Sequence, residues 1–465
     1  MTLWKQTKRL RTLPLAAMRS ALAGSMALLL SFTTTAHAQD LPLIRDAEIE
    51  GLLRQYTRPI FKAAGINPGA VQVSIVNHPA INAFVADGQR IFVFTGLLTA
   101  AKSPNEVIGV LAHETGHISG GHLVRMGMEM EKQSNLVILS MLLGAATMVG
   151  GAVAGSPGST QAGQGLLFGG QGLAQRNILS YARAQEASAD IAAAKFLTAT
   201  KQSGRGMLEL FQRLGNQSLA SVQYVDPYVL SHPMPLERIR NLEQLVKKSP
   251  YYDQPDSQAI LLRHELVQAK LAGFLNSPQI VYRKYPTSDT SLPARYARTI
   301  ATFRSGDMRN ALPQIEDLIR TIPQNPYFWE LKGQALLESG RTAEAIPPLR
   351  QSLKLLPNNG LILTMLAQAQ LGEESQAGAR AALETLKLAQ RTENESPRLH
   401  QLMGMAYGRL NNFAMAELST AEAAVRRGDR KLAREKAQGA IKRMKTGSPE
   451  WLRANDILNF AKKDD

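Results

Sequence analysis

The sequence contains no cysteine. Disulfides and thiolate metal sites are therefore excluded, and any metal must be held by His, Asp or Glu. Aromatic residues make up only 6% of the chain, and none interleaves with its basic runs as a nucleic-acid groove requires, so no nucleic-acid partner is expected. Acidic residues are outnumbered, 38 against 53 Lys and Arg, which gives a formal charge of +15. Five of the bases (Lys5, Lys8, Arg9, Arg11 and Arg19) fall in the first 38 residues, where there is no acid. Much of the remaining excess lies between Arg426 and Lys445, where nine Lys and Arg face only Asp429 and Glu435. That run reads as a solvated helix face, with peripheral contact to anionic lipid or to an acidic partner as the alternative.

The basic leader precedes an apolar stretch from about Ala21 to Phe32 and the small-residue signal Ala36-His37-Ala38. This is the pattern of a signal peptide over 1–38, cleaved after Ala38. No cysteine follows to carry a lipid. An exported, soluble chain is expected, the alternative being an uncleaved anchor for which the stretch is short. The full 465 residues exceed what one core organises and predict two or three folded units.

Asp46 to Lys62 reads as an amphipathic helix and Ala70 to Val76 as a strand. Asn82 to Val85 and Arg90 to Phe94 flank Asp87-Gly88, a hairpin signal. The edge near Arg90 to Phe94 is the expected place for an extended substrate to add a strand. Ser103-Pro104 then offers a helix start, and the apolar residues that follow carry the predicted helix to about Met130. Leu136 to Ala154 is the most apolar segment after the leader, broken by Gly144, Gly150 and Gly151 and followed by Gly-, Ser- and Gln-rich sequence. The expectation for 136–172 is an apolar, Gly-rich lid or membrane-proximal loop; a core helix and a membrane span are the alternatives. Beyond a helical connector at 251–285, Gly306, Ala311 and Pro323 recur 34 residues later as Gly340, Ala345 and Pro357. Thirty-four residues is the tetratricopeptide period. A weaker echo follows in Gly404, Tyr407, Asn411 and Ala416, so repeats are expected over 286–465. Such arrays present a concave groove to peptides or partner proteins.

The chemistry is carried by His113-Glu114-Thr115-Gly116-His117, inside the predicted helix. Positions i and i+4 share a face, so His113 and His117 can present two imidazoles to one cation. Glu114 is turned about 100° from His113, beside the open coordination position, where it can take a proton from an activated water. A catalytic zinc needs a third protein ligand. A histidine six residues after His117 would give it in one known arrangement, but that residue is Leu123, and His122 lies on another face as a supporting residue at most. His264-Glu265 lacks a histidine four places on. The helical run Ser180 to Phe196 supplies Glu186 as third ligand and Asp190, one turn later, to hold the ring N–H of a ligating histidine. One zinc per chain and metal-assisted peptide hydrolysis are expected. The fold class that follows is α+β and mainly helical: a zincin-type metallopeptidase domain with a small sheet at 39–250, then an all-α repeat array.

With HETGH followed by Glu186-x-x-x-Asp190, the chain resembles the HtpX and CAAX prenyl endopeptidase superfamily of zinc peptidases. Export, Ser231-His232-Pro233 and the appended repeats narrow the resemblance to periplasmic members from Gram-negative bacteria. It implies that His232 occupies a fourth zinc position as a self-inhibitory plug. Without the family, His232 is a histidine in a stiff turn. Arg238 either pairs with Asp190, stabilises the transition state or is solvated at a helix start. The resemblance also implies quality control of unfolded or misassembled outer-membrane β-barrel proteins, with contacts to the barrel-assembly machinery through the repeats. The rival class is a periplasmic chaperone or assembly factor with a latent zinc site.

Overall fold

The computed structural model describes residues 41–153, 157–220 and 227–462; the expected signal peptide lies outside them. Strand β1 (Leu43–Ile44) leads into helix α1 (Ala47–Ala63). Asp46 caps that helix by accepting from the backbone N–H groups of Glu48 and Ile49. Strands β2 (Gln72–Val76), β3 (Ala83–Ala86) and β4 (Arg90–Phe94) complete a four-stranded sheet of order β1-β2-β4-β3. The expected hairpin is present: β3 and β4 pair antiparallel, and Asp87 and Gly88 both take positive φ, 50° and 79°. β2 runs parallel to β4 on its other side. Arg90 to Phe94 is thus an inner strand, buried from Ile91 to Phe94, and the expectation that it forms the edge is corrected. The sheet's edges are β1 and β3, because the backbone between β2 and β3 crosses over to leave room for β4 between them.

Helix α2 (Thr95–Ala100) is followed by α3 (Pro104–Ser119), which carries HETGH. Ser103 caps α3 and Pro104 opens it, as the sequence predicts. From Pro104 to Gly116 every residue is buried. The helix does not continue to Met130. It stops at Gly120, and Gly121, at φ 61°, turns the chain into a second helix, α4 (His122–Val153). Residues 136–172, expected as a lid or loop, are also corrected: where described they belong to α4 and to α5 (Pro157–Ala199), two long helices packed side by side. Their glycines interrupt the apolar pattern, but helix-on-helix packing overrides the weak helix propensity of glycine. Among the described residues no helix is long and apolar enough to cross a membrane.

Helices α6 (Arg205–Ala220), α7 (Pro227–Ser231) and α8 (Leu236–Lys247) close one core that runs from Ile49 to Leu271. The start of α3 is fixed to α6 by polar contacts. Buried Glu106 accepts from both Nη atoms of Arg213 at 2.7 Å, and Asn105 bonds Ser203 and Gly206 at 2.7 and 2.8 Å.

Helices α9 (Gln258–Leu275) and α10 (Pro278–Lys284) fill the expected connector, and α9 serves two cores at once. Val267 and Leu271 pack with the core around α3, whereas Leu266 and Ala269 pack with Tyr296, Ile300 and Phe328. Paired helices follow: α11 (Leu292–Arg304), α12 (Met308–Thr321), α13 (Pro326–Glu338), α14 (Thr342–Leu355), α15 (Gly360–Leu371), α16 (Gln376–Glu393), α17 (Pro397–Arg409), α18 (Phe413–Arg426), α19 (Arg430–Ile441) and α20 (Pro449–Lys462). Gly306 and Gly340, 34 residues apart, make the positive-φ turns between helices of a pair. The next such turn falls 34 residues on at Glu374, with φ 54°.

The N-terminal core and the repeats share buried charge. Lys270 on α9 is 4% exposed and lies 2.8 Å from Asp46, 3.4 Å from Glu48 and 3.7 Å from Glu330 on α13. Tyr296 donates to Glu48 at 2.8 Å. Arg45 reaches Glu393 on α16 at 2.9 Å, and Ala47 sits in the core formed by Tyr327, Leu336 and Leu349. One lysine cannot neutralise two buried carboxylates and the half-buried Asp46. Burial, opposed by Lys270, pushes the Glu330 carboxyl from 4.5 up to about 7. The folded state therefore holds this proton more tightly than the unfolded chain. The associated stability is complete below about pH 4.5 and is lost as pH rises through 7. Glu330→Gln should remove that dependence: the melting temperature of the wild type, measured against the variant, falls between pH 5 and pH 8, and an unchanged difference would refute the assignment.

Candidate metal centre

His113 and His117 stand one turn apart on α3, with their Nε2 atoms 3.0 Å apart. The carboxylate between them comes from α5, and Gly116 lets it in. A Cβ on Gly116 would lie 2.8 Å from the carbonyl oxygen of Ala189 and 2.9 Å from its Cα, so the two helices touch backbone to backbone. That contact brings Glu186 to 3.3 Å from the Nε2 atoms of both histidines. From the turn after α7, His232 Nδ1 approaches both Glu186 oxygens at 3.1 Å and His113 Nε2 at 3.4 Å. His113, His117, Glu186 and His232 each offer one ligand atom, and these atoms lie within 4.8 Å of one another.

The set fits a metal ion on two observations. Its donors are three imidazole nitrogens and one carboxylate, the chemistry of a tetrahedral zinc site. Ligand bonds of about 2.0–2.1 Å place tetrahedral ligand atoms about 3.3–3.4 Å apart, close to the spacings found here. The charge balance points the same way. Burial would raise the Glu186 carboxyl, but hydrogen bonds with His113, His117 and His232 carry it well below the usual range. Burial pulls His113 down, and Asp190 and Glu186 overcome this to lift it to about 9. Burial leaves His117 at about 4. The carboxylates thus demand positive charge at this point, which a proton on His113 or a divalent cation can supply.

The ring nitrogens facing away from the centre are also engaged. Asp190 Oδ1 lies at ion-pair distance from His113 Nδ1, 2.9 Å, without the alignment of a hydrogen bond, and His122 Nδ1 is 3.0 Å from His117 Nδ1. His122 opens α4, immediately after the Gly121 turn, and Gln185 of α5 holds its backbone carbonyl at 3.0 Å. Arg238, 7% exposed, donates to both oxygens of Asp190 at 2.7 and 2.9 Å, to Pro233 O at 3.0 Å, and lies 2.9 Å from Glu186. Burial would raise Asp190 and Arg238 outweighs it, so the carboxyl is held below its usual value. Of the alternatives open for Arg238, pairing with Asp190 is the one the structure displays.

Glu114 is fully buried, and neither of its oxygens has a hydrogen-bond partner among the described residues. His232 Nε2 stands 3.5 Å from its Oε1. Burial raises its pKa, against the pull of His232 and His113. A carboxylate of raised basicity, free to accept and turned to the fourth donor, has the properties of a general base.

Two residues at the site carried no sequence signal. Phe211 on α6 meets the His113 ring edge-on at 5.8 Å and lies under the Arg238 guanidinium at 5.3 Å. Tyr228 packs its ring on His232 at 4.6 Å and touches Phe211 at 5.7 Å. In the sequence both read as ordinary core aromatics. His264, set aside on spacing, is buried elsewhere against the Tyr56 hydroxyl at 3.1 Å.

Comparison with known proteins agrees with this geometry. Residues 46–246 match peptidase family M48 and residues 336–406 match the tetratricopeptide repeat. The β-barrel assembly-enhancing protease of Yersinia pestis is 26% identical over 347 residues, 73% of this chain and 68% of that protein. Its counterpart from Escherichia coli (strain K12) is 22% identical over 352 residues, 72% of this chain and 68% of that protein. The mitochondrial metalloendopeptidase OMA1 of Arabidopsis thaliana is 46% identical over 52 residues, 11% of each chain.

If Asp190 fixes the tautomer of His113, Asp190→Ala should weaken zinc binding roughly 10–100-fold. Competition with a chromogenic chelator measures this. Affinity equal to that of the wild type would show that His113 is oriented without it.

Proposed function

We propose, for a chain that belongs to peptidase family M48 over residues 46–246 and is by that membership a metalloprotease, that it is an exported zinc endopeptidase acting on misfolded or stalled outer-membrane β-barrel proteins. The observation that carries the proposal is the convergence of His113, His117, Glu186 and His232 beside the buried carboxylate of Glu114. One zinc per chain would be held by His113, His117 and Glu186, with His232 at the fourth position. When bound, that ion polarises a carbonyl and lowers the pKa of water.

The chain's own residues do the rest. Glu114 accepts a proton from the attacking water as the new C–O bond forms, then delivers it to the amide nitrogen as the C–N bond breaks. Asp190 and His122 keep His113 and His117 in the tautomers that direct Nε2 inward. Arg238 keeps Asp190 and Glu186 ionised in a buried place and, through Pro233, ties the His232 turn to them. His232 fills the position a substrate carbonyl needs, so it must withdraw before cleavage. Its contacts with Tyr228 and Glu186 hold it in place until then. An extended substrate would add to β3, the edge strand packed beside α3.

In this reading residues 1–38 are a signal peptide, 39–250 the peptidase domain, 251–285 a connector and 286–465 the repeats. The names of the relatives support a place in β-barrel assembly; a periplasmic location and contact of the repeats with the assembly machinery belong to the same proposal. Exposed Leu136, Ile138, Leu139 and Leu142 on α4 suit peripheral contact with a membrane.

A chaperone whose zinc site stays latent is the second reading, and the filled fourth position favours it. Two variants separate them. Glu114→Gln should keep zinc and lower cleavage of an unfolded barrel protein by roughly 10²–10⁴-fold. His232→Ala should raise cleavage above the wild-type rate. If zinc-loaded His232→Ala cleaves no unfolded protein, the enzyme reading fails.

A further inference from the structure

On the opposite side of α1 from the metal helix, a cavity of about 500 Å³ opens where α1 and α9 meet the repeats. This is within the about 300–1,000 Å³ of ligand sites. Its lining is largely apolar, with Leu262, Leu266, Ile322 and Leu356, and also holds Arg54, Arg263 and the buried Tyr327. Gly51 keeps it open. A Cβ at that position would lie 2.6 Å from the Tyr327 hydroxyl oxygen and 3.6 Å from Arg263 Nη2, so hydroxyl and guanidinium converge on one point of α1. Neither arginine forms an ion pair among the described residues: Arg263 bonds the neutral side chain of Gln55, and Glu393, which feels the charge of Arg54, is itself paired with Arg45. The one acid in the lining, Glu48, is 3% exposed and already committed to Tyr296 and Lys270. Asn325 and Asn359 also line the cavity, each capping the start of a repeat helix, so two helix N-termini open toward it.

We propose that this cavity binds the C-terminus of a polypeptide whose last residue is apolar. A carboxylate answers the two unmatched arginines and the tyrosine hydroxyl, and an apolar side chain answers the apolar lining. In an extended chain, neighbouring side chains point to opposite faces, so an internal acid and the apolar residue next to it cannot enter one pocket together. A terminal residue carries both groups on a single Cα. The site joins the peptidase unit to the repeats and does not depend on the peptidase reading. It would anchor a client by its end while the rest of the chain stays free.

The test is fluorescence polarisation with the full-length Glu114→Gln chain, which leaves peptides uncut, and a labelled octapeptide of Gly, Ser and Thr ending in Leu-Phe. The free acid should bind saturably. The same peptide as a C-terminal amide, and the protein variants Arg54→Ala and Arg263→Ala, should each bind roughly tenfold more weakly. Gly51→Leu should abolish binding. An amidated peptide that binds as well as the acid overturns the proposal, as does full affinity in both arginine variants. An amidated peptide with an internal Glu that matches the free acid would move recognition to acidic side chains and also overturn it.

Discussion

At Gly116 and Ala189 two helices meet with no side chain between them, and the metal centre exists because of that contact. Helix α3 alone presents two imidazoles and a carboxylate on adjacent faces. Helix α5 alone presents two acids one turn apart. Only at backbone contact do the α5 acids come within reach of the α3 rings, Glu186 on the inner nitrogens and Asp190 on an outer one. The order of the motif is therefore steric as well as chemical: the glycine between the histidines is the hollow into which the second helix fits. Arg238 completes the arrangement from a third helix, making the buried Asp190 carboxylate tolerable where desolvation would otherwise oppose it.

Much of this was legible in the residues. Cap and proline at Ser103-Pro104, the i and i+4 histidines, the Glu186 to Asp190 spacing and the Asp87-Gly88 turn are local patterns, each set by geometry within a few residues. The repeat period was visible through Gly306 and Gly340, but the next turn of the series is Glu374, where an ordinary residue accepts positive φ and glycine leaves no mark. What escaped was non-local. Sheet order depends on which strand crosses over, so the local pattern of β4 does not show that it lies inside the sheet. The break after α3 rests on Gly120-Gly121, in a stretch whose apolar pattern continues unbroken. Glycines at 144, 150 and 151 argue against helix because isolated propensity ignores the packing neighbour α5, 43 residues long. Phe211 and Tyr228 reach the centre from α6 and α7, and nothing in an aromatic residue's own sequence distinguishes a ring beside a ligand from a ring in a core.

The electrostatic pattern repeats at two scales. At the metal centre, several carboxylates and imidazoles share too little positive charge, a deficit that a divalent ion suits. At the junction, Lys270 faces Asp46, Glu48 and Glu330, and a proton makes up the difference. Both sites lie along α1 and its neighbours: α1 packs against α3 on one side and against α9 on the other. The first helix is thus common to the candidate metal site and to the repeat junction.

The sharing of Ala47, Asp46 and Lys270 across the junction bears on how such a protein can change over generations. Repeat arrays are usually interchangeable cassettes, lengthened or replaced with little effect on what precedes them. Here a replacement array would also have to bring a carboxylate to Lys270, an acidic partner to Arg45 and a hollow for Ala47. The early repeats are accordingly tied to the N-terminal part by shared buried groups, and freedom to diversify lies with the later ones, from α17 onward.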